Sequence, residues 1–257
     1  MPTLLLPPRI TEDSVKLWRA TIAAHWDTLR LDHWIAPAGL DPAEIVIYGG
    51  YFIALAQDLG ISLLVPPNDW LASLSHDLTK RNVRFMPLPD ARKLPDRAFY
   101  KPADDKCFLA KVYSSGAELP PKGELPDDVP VLISEIVEWE IEFRCFILDG
   151  KVVALSPYLR NHQRLEIDDG SFPASDAELE QAEVFASHVA STQAASPPGV
   201  VIDVGIIKGK GWAVIEANQA WGSGIYGCDP AAVLPVLRRV CIPTKSLSDA
   251  DRHWSAI

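Results

Sequence analysis

The 257 residues hold no apolar run near the roughly 18 that a membrane helix needs. Cys107, Cys145, Cys228 and Cys241 are scattered without CxxC spacing, and so few cysteines in a chain this large read as reduced, buried residues of a cytosolic protein. The histidines (25, 33, 76, 162, 188 and 253) are equally scattered, so no zinc site is visible. There is no Walker A loop, and no evident Ser–His or Cys–His constellation for nucleophilic catalysis. Positive charge is also short: 24 Lys and Arg stand against 34 Asp and Glu, a net charge of −10. Nucleic-acid binding by bulk electrostatics is therefore not expected. The opening MPTLLLPPRI has a short leucine run closed by two prolines and is not read as a secretory signal. With 48% hydrophobic and 23% charged residues, the chain has the composition of an ordinary globular protein. Its length suits one large domain or two small ones.

The first ninety-odd residues read as an α/β unit. Val15, Trp18, Ile22, Trp26 and Leu29 recur at helical spacing through residues 11–29. IVIY (45–48), Gly49-Gly50, a helix over 51–59, Gly60 and ISLLV (61–65) then predict one βαβ unit. Residues 85–97 carry three prolines and mark a boundary near residue 95 between an N-terminal domain (1–95) and a second domain (96–257). The second domain reads strand-rich, over 98–102, 107–113, 131–137, 140–148 and 151–159. A capping box at Ser175 and Glu178 opens a helix through Val189, with Leu179, Ala182, Phe185, Ala186 and Val189 on its apolar face. A loop over 190–199 and strands over 200–207 and 211–218 follow, and Asp229-Pro230 starts a last helix.

Two hairpins carry the chemistry. In VVIDVGIIKGKGWAVIEANQ a turn centred on Gly209-Lys210 pairs Ile207 with Trp212, which sets Asp203 opposite Glu216. Asp203, Glu216 and Asn218 then share a face, and Ile202, Val204, Ile206, Ile215 and Ala217 take the other. Opposed carboxylates about 5 Å apart repel by roughly 3 kcal/mol at an effective dielectric of about 20. A shared proton or a cation should offset this, and oxygen-only donors favour magnesium. A merely solvated sheet face is the competing reading. The second hairpin turns at Asp149-Gly150 and sets Glu140, Glu142 and Arg144 opposite the apolar face Ile141, Phe143, Cys145 and Ile147. Arg144 is either a structural ion-pair partner or a phosphate ligand. Lys101, before Pro102, and Lys106 and Lys111 are flexible point charges suited to polyphosphate or to plain solvent.

In order, FYKP (99–102), ISEIVEW (133–139), EFR (142–144), VIDVG (201–205) and IEAN (215–218) resemble the ATP-grasp superfamily. The likeness spans about residues 80–230. TKR (79–81) ahead of the KP lysine is similar to the small ATP-grasp clade named for two arginines and a lysine. The resemblance implies an ATP-grasp fold of the α/β (α+β) class, antiparallel sheets with packed helices, preceded by a small Rossmann-like βαβ, or pre-ATP-grasp, domain.

It further implies an ATP- and Mg²⁺-dependent ligase that makes C–N bonds, joining small-molecule carboxylate and amine substrates through an acyl phosphate. Neither nucleic acid nor membrane is an expected partner, and a homodimer is left open. By the same resemblance Lys101 contacts the ATP phosphates and Glu135, Ile136 and Val137 form the adenine hinge. Glu138 or Glu140 lies near the ribose, Arg144 faces the acyl phosphate with Glu142 in support, and Asp203, Glu216 and Asn218 hold magnesium. Lys80, Arg81, Lys106 and Arg160 are further candidates for phosphate or substrate carboxylate. Two departures stand out: ADDKCF (103–108) replaces the usual glycine-rich lid, and the hinge lacks the common glycine before its glutamate. The loop 218–227 borders the acceptor site or forms a tight packing turn. Two other classes remain: a non-catalytic nucleotide-binding module, and a hydrolase using Asp203 and Glu216 as an acid–base pair.

Overall fold

The computed structural model describes residues 1–50, 52–104, 106–192 and 196–256. Tyr51 in the expected helix 51–59, Asp105 in 103–108, and positions 193–195 in the loop 190–199 lie outside the described residues.

The N-terminal unit runs β1 (Thr3–Leu6), α1 (Glu12–Ala23), β2 (Asp27–Arg30), β3 (Ile45–Ile47), α2 (Ile53–Asp58) and β4 (Ile61–Leu63). The leucine run of the opening is β1, wholly buried at Leu4, Leu5 and Leu6 and central in a parallel sheet of order β2-β1-β3. Helix α1 opens on a Thr11–Ser14 capping box and stops at Ala23, so Trp26 and Leu29 fall outside it. Its buried face is Ser14, Leu17, Ala20 and Thr21, whereas Trp18 and Ile22 are 46% and 60% exposed. Polar atoms on that buried face find partners on β2: Thr21 Oγ1 lies 2.6 Å from Thr28 Oγ1, and Arg30 donates to Ser14 Oγ at 3.1 Å. Local satisfaction of these hydroxyls lets them outrank the large apolar residues.

Strand β4 does not complete a βαβ unit with β3. It pairs antiparallel with Cys241–Pro243, near the other end of the described chain. Next come α3 (Trp70–Ser73), α4 (His76–Thr79), β5 (Val83–Pro87), α5 (Leu88–Ala91), β6 (Ala98–Pro102), β7 (Lys111–Tyr113) and β8 (Pro130–Ser134). Strands β5 to β8 form an antiparallel sheet of order β5-β8-β6-β7. The proline-rich segment 85–97 is thus no linker: its first residues pair with β8, and Leu88 and Ala91 are buried beneath the sheet. A division at residue 95 cuts across this sheet.

The last part comprises β9 (Trp139–Leu148), β10 (Lys151–Arg160), β11 (Gln163–Arg164), α6 (Asp176–Thr192), β12 (Gly199–Ile207), β13 (Gly211–Asn218), α7 (Pro230–Val240), β14 (Cys241–Pro243) and α8 (Asp249–Arg252). Its antiparallel sheet has the order β11-β10-β9-β12-β13. Asp149 and Gly150 turn the β9–β10 hairpin at φ 47° and 76°, the left-handed pair that a two-residue loop requires. Ser175 and Glu178 make the expected capping box on α6. One face of the sheet packs Ile141, Phe143, Cys145 and Ile147 against Ala182, Ala186 and Val189 of α6. The other face packs Phe146 and Val201 against α7 and the N-terminal strands, then turns polar at Glu142, Arg144 and Asp203. Among the described residues no helix is long and apolar enough to cross a membrane.

The β12–β13 register departs from the expected one in an instructive way. Ile207 faces Gly211 rather than Trp212, leaving a three-residue loop. A β-bulge then follows, because Val204 faces Val214 but Asp203 faces Glu216, so Ile215 is the extra residue. The odd loop and the bulge compensate, and Asp203 does oppose Glu216. Gly205 leaves room for this: a Cβ there would come within 2.5 Å of the Ile141 carbonyl oxygen and 3.1 Å of Ile215 Cδ1. Gly205→Ala should therefore lower stability by about 1–3 kcal/mol or more, read as a fall in the urea midpoint. An unchanged midpoint would show that the hairpin yields there freely.

Candidate active site

Two cavities meet at one ion pair. The smaller, about 590 Å³, lies between the two antiparallel sheets. Residues Ser134 to Val137 border it, with Val83, Phe99, Trp139 and Ile215 as apolar walls. The larger, about 1030 Å³, passes Arg144 and Asn218 toward the 221–226 loop and Pro66-Pro67. Lys101 and Glu216 border both.

Lys101, near the end of β6, reaches across the cleft to form an ion pair with Glu216 on β13. Asp203 lies across from Glu216 on one side and from Arg144 on the other. Arg144 grips it with two parallel hydrogen bonds, Nε to Oδ1 at 3.0 Å and Nη2 to Oδ2 at 2.7 Å. Arg144 Nη1 donates to the Gly224 carbonyl at 2.9 Å, and the guanidinium lies 4.8 Å from the Tyr226 ring and 5.6 Å from that of Tyr158. Asn218 Nδ2 donates to Glu216 Oε1 at 2.9 Å. The charge clash expected between the two acids is thus offset by two protein cations, one per carboxylate.

Burial pushes the Glu216 carboxyl up, but the Lys101 ammonium and the Asn218 amide prevail and hold it down at about 2. For Asp203 burial prevails and raises the carboxyl, with Arg144 pulling the other way. Burial works against the Arg144 charge, but Asp203 more than restores it. The donors suit a hard divalent ion: Glu216 and Asn218 present oxygen-bearing groups to the larger cavity. Asp203 joins them in space, yet it is fully buried with both oxygens on Arg144.

A model of the ATP-grasp domain, for the second family of the clade named for two arginines and a lysine, matches residues 78–236. The chain belongs to this family. Among solved structures it resembles a RimK domain protein ATP-grasp from Sphaerobacter thermophilus DSM 20745, at TM-score 0.53 and 14% identity over 93% of this chain and 99% of that one. It also resembles D-cycloserine synthetase DcsG, at TM-score 0.56 and 13% identity over 92% and 98%. These likenesses speak to the ATP-grasp fold alone. No curated protein sequence matches the chain.

In this ATP-grasp domain the expected hinge residues Glu135, Ile136 and Val137 border the smaller cavity, and Lys106 the larger. Other expected residues are placed differently. Glu142 also borders the smaller cavity, but its carboxylate accepts the Tyr158 hydroxyl at 2.7 Å rather than touching Arg144, and burial raises it. Arg160 borders neither cavity; it forks onto Glu178 at 2.9 and 3.1 Å, because the α6 capping box sets that carboxylate beside the end of β10. Glu138 is exposed and paired with Lys208 at 3.0 Å, and Glu140 borders neither cavity. Lys80 points at Asp77, 3.8 Å away. The bulge turns Ile215 into the smaller cavity instead of the core.

Asp13 is not legible in the sequence as a site residue. It accepts from the Ile225 backbone N–H at 3.1 Å and the Tyr48 hydroxyl at 3.3 Å, tying α1 to the loop whose Gly224 carbonyl receives Arg144. Nothing local in the sequence signals a contact across about two hundred residues. That loop is at once a packing turn and a cavity wall. Trp221 packs it, donating to the Leu64 carbonyl at 3.2 Å, while Gly222, Ser223, Gly224 and Tyr226 border the larger cavity.

Asp203→Ala should cost about 3–5 kcal/mol in urea denaturation, since it strands a buried guanidinium. Arg160→Ala should cost at most about 1 kcal/mol and leave nucleotide affinity nearly unchanged, as a partly exposed pair whose arginine borders neither cavity. The depressed Glu216 carboxyl contributes stability fully above its ordinary value near 4.5, and loses it as the pH falls toward about 2. The stability gap between wild type and Glu216→Gln should therefore narrow over that window. A gap independent of pH would contradict the pairing.

Proposed function

We propose that the protein is an ATP- and Mg²⁺-dependent ligase that forms an amide between a carboxylate and an amine through an acyl phosphate. The observation that carries this is the Lys101–Glu216 junction. A cation from one sheet meets an acid–amide pair from the other where a largely apolar cavity opens into a roomier, more polar one.

The smaller cavity takes the adenine. The Glu135 backbone N–H is spent on the Asn82 carbonyl and the Glu138 carbonyl on Lys208, so reading of the base edge falls to the backbone of Ile136 and Val137. Ile215 and Val83 cover the ring faces. Lys101 takes the phosphates, exchanging Glu216 for a more highly charged partner. Glu216 and Asn218 would hold magnesium, which would supply charge neutralisation to the transferring phosphoryl group; Asp203 serves instead to fix Arg144. Arg144, held flat by Asp203 and the two tyrosines, aims at the charge developing on the acyl phosphate.

Chemically, a substrate carboxylate oxygen attacks the γ-phosphorus while its bond to the β-bridging oxygen breaks, releasing ADP. The amine nitrogen then adds to the acyl carbon, inorganic phosphate leaves with the bonding pair, and the amine loses its proton. No protein nucleophile is used. A hydrolytic acid–base pair fits poorly, since Asp203 is buried in an arginine fork. The net charge of −10 and four cysteines without CxxC spacing suit a cytoplasmic setting.

The test is an ADP-release screen over amino acids and small amines with Mg²⁺ and ATP. Release that depends on both a carboxylate and an amine supports the ligase; nucleotide binding without triggered release would make the protein a non-catalytic nucleotide module. Lys101→Ala should weaken ATP binding at least about tenfold, and Glu216→Ala should chiefly abolish Mg²⁺-dependent turnover. Unchanged catalysis in both variants would contradict the assignment.

A further inference from the structure

Arg81 follows α4 on the way to β5, and its side chain is buried. Its guanidinium donates to three backbone carbonyls: Thr79 at 3.1 Å, Val214 at 2.6 Å and Ile215 at 2.9 Å. The Trp139 ring lies 5.1 Å from its central carbon. Successive carbonyls of a regular strand point to opposite edges, so one guanidinium can hold Val214 and Ile215 together only where the ladder is broken. That break is the bulge at Ile215, and β13 is the outer strand of its sheet.

The consequence follows from the pleat. Counting from the three-residue loop, an unbulged ladder would set Ile215 opposite Asp203 and turn Glu216 onto the face of Ile202 and Val204, which is packed core. Glu216 reaches the cleft only because one residue is bulged out. We propose that Arg81 is a positioning residue that pins this bulge and so presents Glu216 and Asn218 to the metal and phosphates. Burial lowers its guanidinium only to about 10, so the side chain stays charged at neutral pH. The inference rests on the nucleotide–magnesium reading of the cleft. It assigns Arg81 to the backbone of β13 rather than to the nucleotide.

The experiment measures binding of a non-hydrolysable ATP analogue to the full chain by calorimetry, with and without Mg²⁺, for wild type, Arg81→Met, deletion of Ile215, and the two combined. The readout is the factor by which Mg²⁺ strengthens binding, so changes in the base pocket cancel. Arg81 and Ile215 both line the smaller cavity, so metal-free binding can shift as well, but Arg81→Met should cut the Mg²⁺ factor at least about tenfold. Deletion of Ile215 restores a regular ladder with Asp203 still opposite Glu216, so in that background Arg81→Met should change the factor little.

A similar loss with and without metal, in both backgrounds, would mean that Arg81 touches the nucleotide and would overturn the proposal. So would an unaltered factor in Arg81→Met. Where Arg81→Met does not fold, Arg81→Lys, which keeps the charge but cannot fork, is read in the same way. A wild type whose binding Mg²⁺ does not strengthen would instead refute the magnesium reading itself.

Discussion

Two carboxylates placed face to face on neighbouring strands are the constraint around which this molecule is arranged. Asp203 and Glu216 cannot both stay charged and close in a poorly solvated cleft without compensation. The fold brings each its own cation from a different strand: Arg144 from β9 inside one sheet, and Lys101 from β6 across the cleft. The first pair is closed, buried and bidentate, with the stiffness of a structural element. The second is half open and borders two cavities. One acid is thus locked and the other available, and the division of labour in the site follows from that asymmetry.

The locked pair reaches further than its own contacts. Arg144 also holds the Gly224 carbonyl, and the neighbouring Ile225 N–H is held by Asp13 at the start of α1. The N-terminal parallel sheet is therefore tied to the site through one short loop. Its partner in this is β4, which leaves its own unit to pair with β14. These long-range ties explain why a proline-counted boundary at residue 95 does not divide the hydrogen-bonding network, although the strand–helix alternation on either side is legible.

What the sequence shows well is what local chemistry decides. The Asp149-Gly150 turn, the Ser175–Glu178 box, the Asp229-Pro230 helix start and the long strands of the five-stranded sheet each rest on neighbours a few residues apart. What it hides depends on partners far away. The exposed Trp18 and Ile22 look like a core stripe because nothing in α1 reveals that Thr28 and Arg30 satisfy its hydroxyls. Arg160 looks like a phosphate ligand because its claim by Glu178 needs the third dimension. The Asp203–Glu216 pairing is reached from sequence through a register one residue off near the turn, and an unforeseen bulge restores it. Such a bulge is hard to read because its partner, the Arg81 guanidinium, lies more than a hundred residues upstream.

The central claim is that the half-open pair marks where a nucleotide's phosphates and a divalent ion enter. A crystal structure of the protein with Mg²⁺ and a non-hydrolysable ATP analogue tests it most directly. The account predicts the base against Ile136 and Val137, Lys101 on a phosphate, and the ion on Glu216 and Asn218, with Asp203 still gripped by Arg144. A nucleotide bound outside the two cavities, or one that leaves Lys101 and Glu216 joined, would contradict it.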